Sequence, residues 1–148
     1  MNKIFPDIID KVPSRDYGIE GLTVHVDHTS TGTVYFVSAE KEVPFPEHAH
    51  AAQWTVVVSG KCLFTANGET KTYQQGETYF IPAGLKHQIT LCPGYSEVDY
   101  VDDPLGWGNL IIAKSSMLSA SLFQCFGICS HCRGIIPCRL ASDTHCME

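Results

Sequence analysis

Two stretches of the sequence decide the fold: HAHAAQWTVVVSG at residues 48–60 and GETYFIPAGLKH at residues 76–87. His48 and His50 are two residues apart, a spacing that places both side chains on one face of a β-strand. A third histidine, His87, ends the second stretch. Three imidazoles that point into one interior form a three-nitrogen metal site. The spacing therefore predicts a metal bound inside a small β-barrel.

The chemistry of the predicted site follows from its ligands. Gln53 follows the first two histidines and adds an amide oxygen as a fourth ligand. The predicted cofactor is one divalent transition metal (Zn, Ni, Mn or Fe), because neutral imidazole binds all of these ions. Four protein ligands leave one or two positions open for substrate or water. All four protein ligands are neutral, so the +2 charge of the ion is uncompensated. The site is therefore expected to favour a bound molecule that is anionic or enolate-like. The alternative is a metal-free barrel in which the histidines only pack or form hydrogen bonds.

Most of the remaining chain up to residue 103 consists of short β-rich runs separated by turn residues. Asn67-Gly68 favours positive φ at both central positions and predicts a type I′ hairpin. No amphipathic helix is evident before residue 104. Many short strands with glycine turns are typical of a sandwich or barrel. The predicted strands are 22–27, 33–38, 53–58, 62–66, 69–73, 78–81, 87–91 and 97–101.

The two quoted stretches resemble the two signature motifs of the cupin superfamily. The first has His48 and His50, with Gln53 in the place of the usual Glu and six residues before the closing Gly60; one residue is missing after the second His. The second is Gly76, five residues, Pro-Ala-Gly, two residues and His, which fits the family pattern without deviation up to that His; the Asn that often follows four residues later is Leu91 here. The resemblance implies an all-β double-stranded β-helix, the cupin jelly-roll barrel, and the metal ligands His48, His50, Gln53 and His87.

A narrower resemblance concerns Asp99. A group of small single-domain cupins acts in pectin degradation by linearising unsaturated uronates. Its members carry two His, a Gln and a third His on the metal, and an Asp on a late strand, which Asp99 resembles. This similarity makes Asp99 the candidate acid/base group. The group also uses an Arg shortly after the Asp to clamp a carboxylate, whereas the sequence here continues Asp102-Asp103-Pro104-Leu105.

A change of composition near Asp103–Pro104 predicts two regions. Residues 1–103 hold 14 of the 16 acidic residues, and residues 104–148 hold five of the seven Cys. We therefore expect a cupin barrel over 1–103 and a Cys-rich extension over 104–148. The extension is expected to be either poorly ordered or a helix docked on the barrel. Cys129 and Cys132 have the spacing of a zinc half-site, but no second pair with this spacing follows.

Composition and charge limit the possible functions. The net charge of −6 and the lack of a basic stripe exclude a nucleic-acid partner and an anionic membrane surface. The N-terminus lacks the apolar run of a signal peptide, so the expected location is the cytoplasm and the expected state of the cysteines is reduced. Because exposed edges of small barrels often pair, a homodimer is also expected.

Three functions fit this sequence. The first is a small metalloenzyme in which the metal acts as a Lewis acid on a polar metabolite such as a sugar acid or hydroxy-carbonyl compound, with Asp99 or a nearby Tyr moving the proton. The second is a non-catalytic cupin that senses a small molecule. The third is an Fe(II)-dependent dioxygenase, since an open metal position also accepts O₂.

Overall fold

Nine β-strands follow one short 3₁₀ helix in the computed structural model, which describes residues 3–107. The helix spans Asp7–Lys11. The strands are β1 (Leu22–His28), β2 (Thr33–Ala39), β3 (Val43–His48), β4 (Gln53–Ser59), β5 (Lys61–Ala66), β6 (Glu69–Gln74), β7 (Thr78–Ile81), β8 (His87–Leu91) and β9 (Tyr95–Val101).

The strands form two antiparallel sheets. One has the order β1-β2-β9-β4-β7 and the other the order β3-β8-β5-β6. Sequence neighbours such as β8 and β9 lie in different sheets, so the chain crosses repeatedly between them, as in a jelly roll. The predicted all-β double-stranded β-helix is confirmed.

The sequence missed one strand, β3. Pro44 and Pro46 lie within it and hide its β pattern, because proline cannot donate to a strand ladder and is rare in central strands. The structure resolves this conflict by placing β3 at the edge of the four-stranded sheet, where β8 is its one partner among the described strands. An edge strand tolerates proline because one side of its backbone has no ladder to complete.

Turn residues set the connections between strands as predicted. Asn67 and Gly68 have φ values of 53° and 78°, the positive values that a type I′ hairpin between β5 and β6 requires. Gly60 also has a positive φ, 68°, and an added Cβ there would lie 2.8 Å from the carbonyl oxygen of Gly94. A residue with a side chain at position 60 would therefore be strained in its backbone and would collide with a neighbouring turn.

Inward-facing side chains of both sheets form the core. β2 alternates regularly: Thr33, Tyr35, Val37 and Ala39 are buried, and the residues between them are only partly buried. β9 also buries every second residue from Tyr95 to Val101, but two of these buried positions hold the acidic residues Glu97 and Asp99. The interior is thus apolar on most strands and carries two carboxyl groups on one strand.

The residues just after β9 pack against the barrel. The indole of Trp107 stacks on Tyr35 with ring centroids 3.8 Å apart, and the Trp107 backbone N–H donates to the Tyr35 hydroxyl at 2.7 Å. The remaining extension, 108–148, with its Cys129/Cys132 pair and its predicted helix, lies outside the described residues, and the domain boundary at 103–104 stays a prediction. Within residues 3–107 no helix has the length and apolar character needed to cross a membrane.

Candidate metal centre

The three histidines come from two strand ends and a loop. His48 is the last residue of β3 and His87 the first residue of β8, and the two are paired in register across the sheet. His50 lies beyond the end of β3, and its carbonyl oxygen accepts the backbone N–H of Gly84 at 2.9 Å. The sequence argument that His48 and His50 share one strand face is therefore wrong for His50. The loop that follows β3 positions that ring.

The three rings nevertheless converge. Their centroids are 4.3 Å (His48–His87), 4.9 Å (His50–His87) and 5.5 Å (His48–His50) apart. One ring nitrogen of each lies within 4.8 Å of the other two. Two nitrogens that bind one ion at about 2.1 Å lie at most about 4.2 Å apart, so only small side-chain shifts separate this arrangement from coordination.

Backbone carbonyls fix the orientation of all three rings. The Nδ1 atoms of His48, His50 and His87 lie 2.7, 2.6 and 2.8 Å from the carbonyl oxygens of Pro46, Ala51 and Leu85. A carbonyl oxygen only accepts hydrogen bonds, so each Nδ1 carries the proton and donates it. Each neutral ring then has its lone pair on Nε2. Hydrogen bonds from the other ring nitrogen fix the tautomer and the ring orientation of metal-binding histidines in the same way.

Burial keeps two of these rings neutral. It lowers the pKa of His87 to about 4 and also lowers the pKa of His50, because the charged imidazolium loses its hydration in the interior. In each case the backbone carbonyl bound to Nδ1 opposes this effect with a smaller contribution. At neutral pH both rings therefore offer a lone pair without first losing a proton.

Gln53 lies in the barrel interior, and both ends of its side-chain amide form hydrogen bonds. Its Oε1 accepts the indole N–H of Trp107 at 2.7 Å, and its Nε2 donates to the Thr55 hydroxyl at 3.0 Å. The indole N–H can only donate, so the amide oxygen faces Trp107 and the amide nitrogen faces Thr55. An amide oxygen has a second lone pair, so the predicted role of Gln53 as fourth ligand remains chemically open.

Asp99 is fully buried and is not among the residues that line the cavity next to the histidines. Its Oδ1 accepts the Thr55 hydroxyl at 2.5 Å, and its Oδ2 is buried without a hydrogen-bond partner. Burial, and then the neighbouring Glu97, raise the pKa of Asp99 well above its ordinary value. A chain of hydrogen bonds thus runs from Trp107 through Gln53 and Thr55 to Asp99.

Glu97 is the carboxyl that lines the cavity, and the sequence reasoning missed it. Its Oε2 accepts the hydroxyl groups of both Tyr79 and Tyr95, and burial raises its pKa. The available signal was its position two residues before Asp99 on one strand, since residues at this spacing share a face. Two neighbouring buried carboxyls disfavour each other's ionisation, so the charge of Glu97 adds to burial in raising the pKa of Asp99.

The cavity itself extends inward from the histidines. It holds about 40 Å³ of water-accessible space, room for a few water molecules, and Tyr17 and Trp107 form part of its wall. Apart from the histidines, Gln53 and Glu97, its lining is aliphatic or aromatic. A pocket that combines an apolar wall with a few converging polar groups has the general form of a small-molecule site.

This fold and this group of three histidines define a small β-barrel protein with a possible metal site. The chain belongs to the cupin family, because the family model of the Cupin domain matches its residues 25–101, which are more than half of the 148. No curated protein matches the sequence.

Solved structures show the same fold. KdgF from Halomonas sp. is 18% identical with a TM-score of 0.56, covering 70% of this chain and 96% of its own. An RmlC-like cupin from Shewanella frigidimarina NCIMB 400 is 19% identical with a TM-score of 0.53, covering 64% of this chain and 86% of its own. An oxalate decarboxylase is 16% identical with a TM-score of 0.56, covering 65% of this chain and 28% of its own. These likenesses establish the barrel and do not assign an activity.

Proposed function

We propose that this cupin binds one divalent transition metal through His48, His50 and His87, with the Gln53 oxygen as fourth ligand. We further propose that it is a metalloenzyme for a small oxygenated metabolite such as a hydroxy-carbonyl compound or a sugar acid. The hydrogen bonds from the three Nδ1 atoms to backbone carbonyls carry the proposal, because they leave every Nε2 lone pair free. Rings that only filled space would not need all three tautomers fixed in this way.

The proposed metal, its ligands and the surrounding wall have different roles. A bound metal would supply Lewis acidity toward a carbonyl or hydroxyl oxygen. The imidazoles and Gln53 are neutral, so the site favours a ligand that carries or develops negative charge. The apolar wall excludes water, which strengthens electrostatic interactions inside the cavity.

For Asp99 we propose a positioning role in place of direct proton transfer. The Thr55 hydroxyl has one hydrogen, and by donating it to Asp99 it must accept from the Gln53 amide nitrogen. Asp99 therefore helps to fix the direction of the Gln53 oxygen. Partners of this kind typically change metal affinity by about 10–100-fold when removed.

The metal is tested with the full-length protein, stripped with a chelator and dialysed separately against Zn²⁺, Ni²⁺, Mn²⁺ and Fe²⁺. Elemental analysis should show one ion that is lost in His48→Ala, His50→Ala and His87→Ala. The matched control is His25→Ala, whose ring donates to the Val12 carbonyl and does not line the cavity. Because thiolates bind zinc and five cysteines follow residue 104, the measured quantity is the difference between each variant and wild type. Equal metal content in all four variants would contradict the proposal.

A second candidate, a non-catalytic ligand-binding cupin, is favoured by one observation. Among the described residues that line the cavity, the single carboxyl is Glu97, and Asp99 is sealed from it. Glu97 pairs in register with Val57, four residues along β4 from Gln53, so it lies toward the end remote from the histidines. Binding of a ligand to the metal-loaded protein without any turnover would support this candidate over the enzyme.

The homodimer, the cytoplasmic location and the small-molecule partner stay predictions. One surface feature supports self-association. Trp54 pairs across strands with both Phe80 and Tyr100, and all three are exposed on the outer face of the five-stranded sheet. The molecular mass of the protein in solution checks the oligomeric state.

A further inference from the structure

One hydroxyl group in the cavity wall lacks a hydrogen-bond partner. Tyr17 carries the only hydroxyl among the described residues that line the cavity beside the histidines. Its oxygen is buried, and nothing in the described part of the chain forms a hydrogen bond with it. Burial raises the pKa of Tyr17, so at neutral pH the group is a phenol that can donate its proton. Unpaired buried atoms of this kind are rare in folded proteins and lower their stability.

The other side-chain donor atoms of this wall already have partners. The Nδ1 atoms of the three histidines donate to backbone carbonyls. The Gln53 amide nitrogen donates to Thr55, and the Trp107 indole donates to Gln53. Tyr17 lies in the loop between the bridge residue Ser14 and β1, so its ring can adjust to a bound molecule. Its hydroxyl is therefore the donor that the wall leaves for an occupant of the cavity.

The surroundings of Tyr17 favour a small anion. The guanidinium carbon of Arg15 lies 5.2 Å from the centroid of the Tyr17 ring. The proposed metal ligands are neutral, so the charge of the ion adds to that of Arg15 in attracting an anion. The cavity holds about 40 Å³ of water-accessible space, and one water molecule needs about 10–15 Å³ of it. The occupant is therefore no larger than a few water molecules together.

We infer that the molecule bound beside the histidines is a short carboxylate, with about two or three carbon atoms, and that one of its oxygens accepts a hydrogen bond from the Tyr17 hydroxyl. The inference rests on the proposed function, because the metal holds the molecule in place. It narrows the proposed substrates to short hydroxy or oxo acids. A six-carbon sugar acid would have to push Tyr17 and Trp107 out of the wall.

Tyr17→Phe tests the state of the hydroxyl, because this substitution removes nothing else. Without added carboxylate it should raise the thermal midpoint by about 4 °C, since an unpaired buried oxygen is lost. The matched control is Tyr79→Phe, which removes a buried hydroxyl that donates to Glu97 at 3.0 Å and should lower the midpoint. A lower or unchanged midpoint in Tyr17→Phe would show that the hydroxyl already has a partner within the protein, such as Arg15, and would overturn the inference.

Calorimetric titration of the zinc-loaded full-length protein with glycolate, the shortest 2-hydroxy acid, tests the contact itself. Glycolate should bind to Tyr17→Phe about tenfold or more weakly than to wild type, because a hydrogen bond to a charged oxygen is lost. Wild type should also prefer glycolate to gluconate, which has the same 2-hydroxy-carboxylate head on a longer chain. Equal affinity of the two proteins for glycolate, or gluconate binding to wild type as tightly as glycolate, would overturn the inference.

The two proposals fail in different ways. Absence of metal uptake refutes the metal centre and, with it, the inference. Metal uptake without an effect of Tyr17→Phe on glycolate binding refutes the inference alone.

Discussion

Replacing Trp107 with Phe is expected to destabilise the barrel through a single hydrogen bond. The indole N–H donates to the Oε1 of Gln53 at 2.7 Å, and Gln53 is only 5% exposed. Phenylalanine keeps an aromatic ring over Tyr35 but has no donor. The Gln53 oxygen is then left buried without its partner, which costs about 1–3 kcal/mol.

The expected change is large enough to measure by urea unfolding. A loss of about 2 kcal/mol, with an m-value of about 2 kcal/mol/M for a domain of this size, lowers the urea midpoint by about 1 M. Far-UV circular dichroism follows the transition without depending on tryptophan fluorescence. The matched control is Trp54→Phe, because Trp54 is 47% exposed and its change should stay within about 0.5 kcal/mol.

Equal midpoints for the two variants would refute the reasoning. Such a result would mean that the Gln53 oxygen accepts a hydrogen bond from another donor, or that the segment containing Trp107 contributes nothing to the stability of the barrel. A lower m-value in Trp107→Phe alone would instead point to a less compact native state, and the loss could then not be assigned to one hydrogen bond.

Two further predictions concern the interior carboxyls and a turn. Asp99 has a raised pKa when folded, so its contribution to stability is fully present below the ordinary Asp pKa and is lost as the pH rises toward the folded value. Asp99→Asn should therefore raise the thermal midpoint at pH 8 more than at pH 4, and a pH-independent effect of Asp99→Asn would contradict a neutral Asp99. Gly60→Ala should cost more stability than Gly68→Ala in chemical denaturation, because both have positive φ but only at position 60 does a Cβ meet backbone atoms, at 2.8–3.0 Å. Equal losses at the two glycines would show that the neighbouring turn moves aside at no cost.

Strands with simple alternation could be predicted from the sequence, and strands under competing constraints could not. β7 and β8 have the predicted bounds, since turn residues that can be recognised in the sequence flank both strands. β3 was missed because its prolines oppose strand formation, and only its place at a sheet edge makes them tolerable. The Asn67-Gly68 turn was predictable because its preference for positive φ is local.

The candidate site, like the strands, could be predicted from the sequence only in part. The sequence named the three histidines and Gln53, because the motif spacing places them in one barrel. It could not show that a loop, rather than a strand, brings His50 to the others. It also assigned to Asp99 the place beside the cavity that Glu97 occupies, since strand alternation tells which face a residue occupies but not how deep along the barrel it lies.

The sequence by itself determined the fold family and the residue types and neutral charge of the proposed ligand set, because these depend on residue identity and short-range spacing. Only the tertiary structure decided which nitrogens are free, which carboxyl reaches the cavity and which residues enclose it. These properties depend on contacts between residues far apart in the chain. The indole of Trp107 on Gln53 and the Thr55 hydroxyl on Asp99 are examples, and no local pattern encodes them.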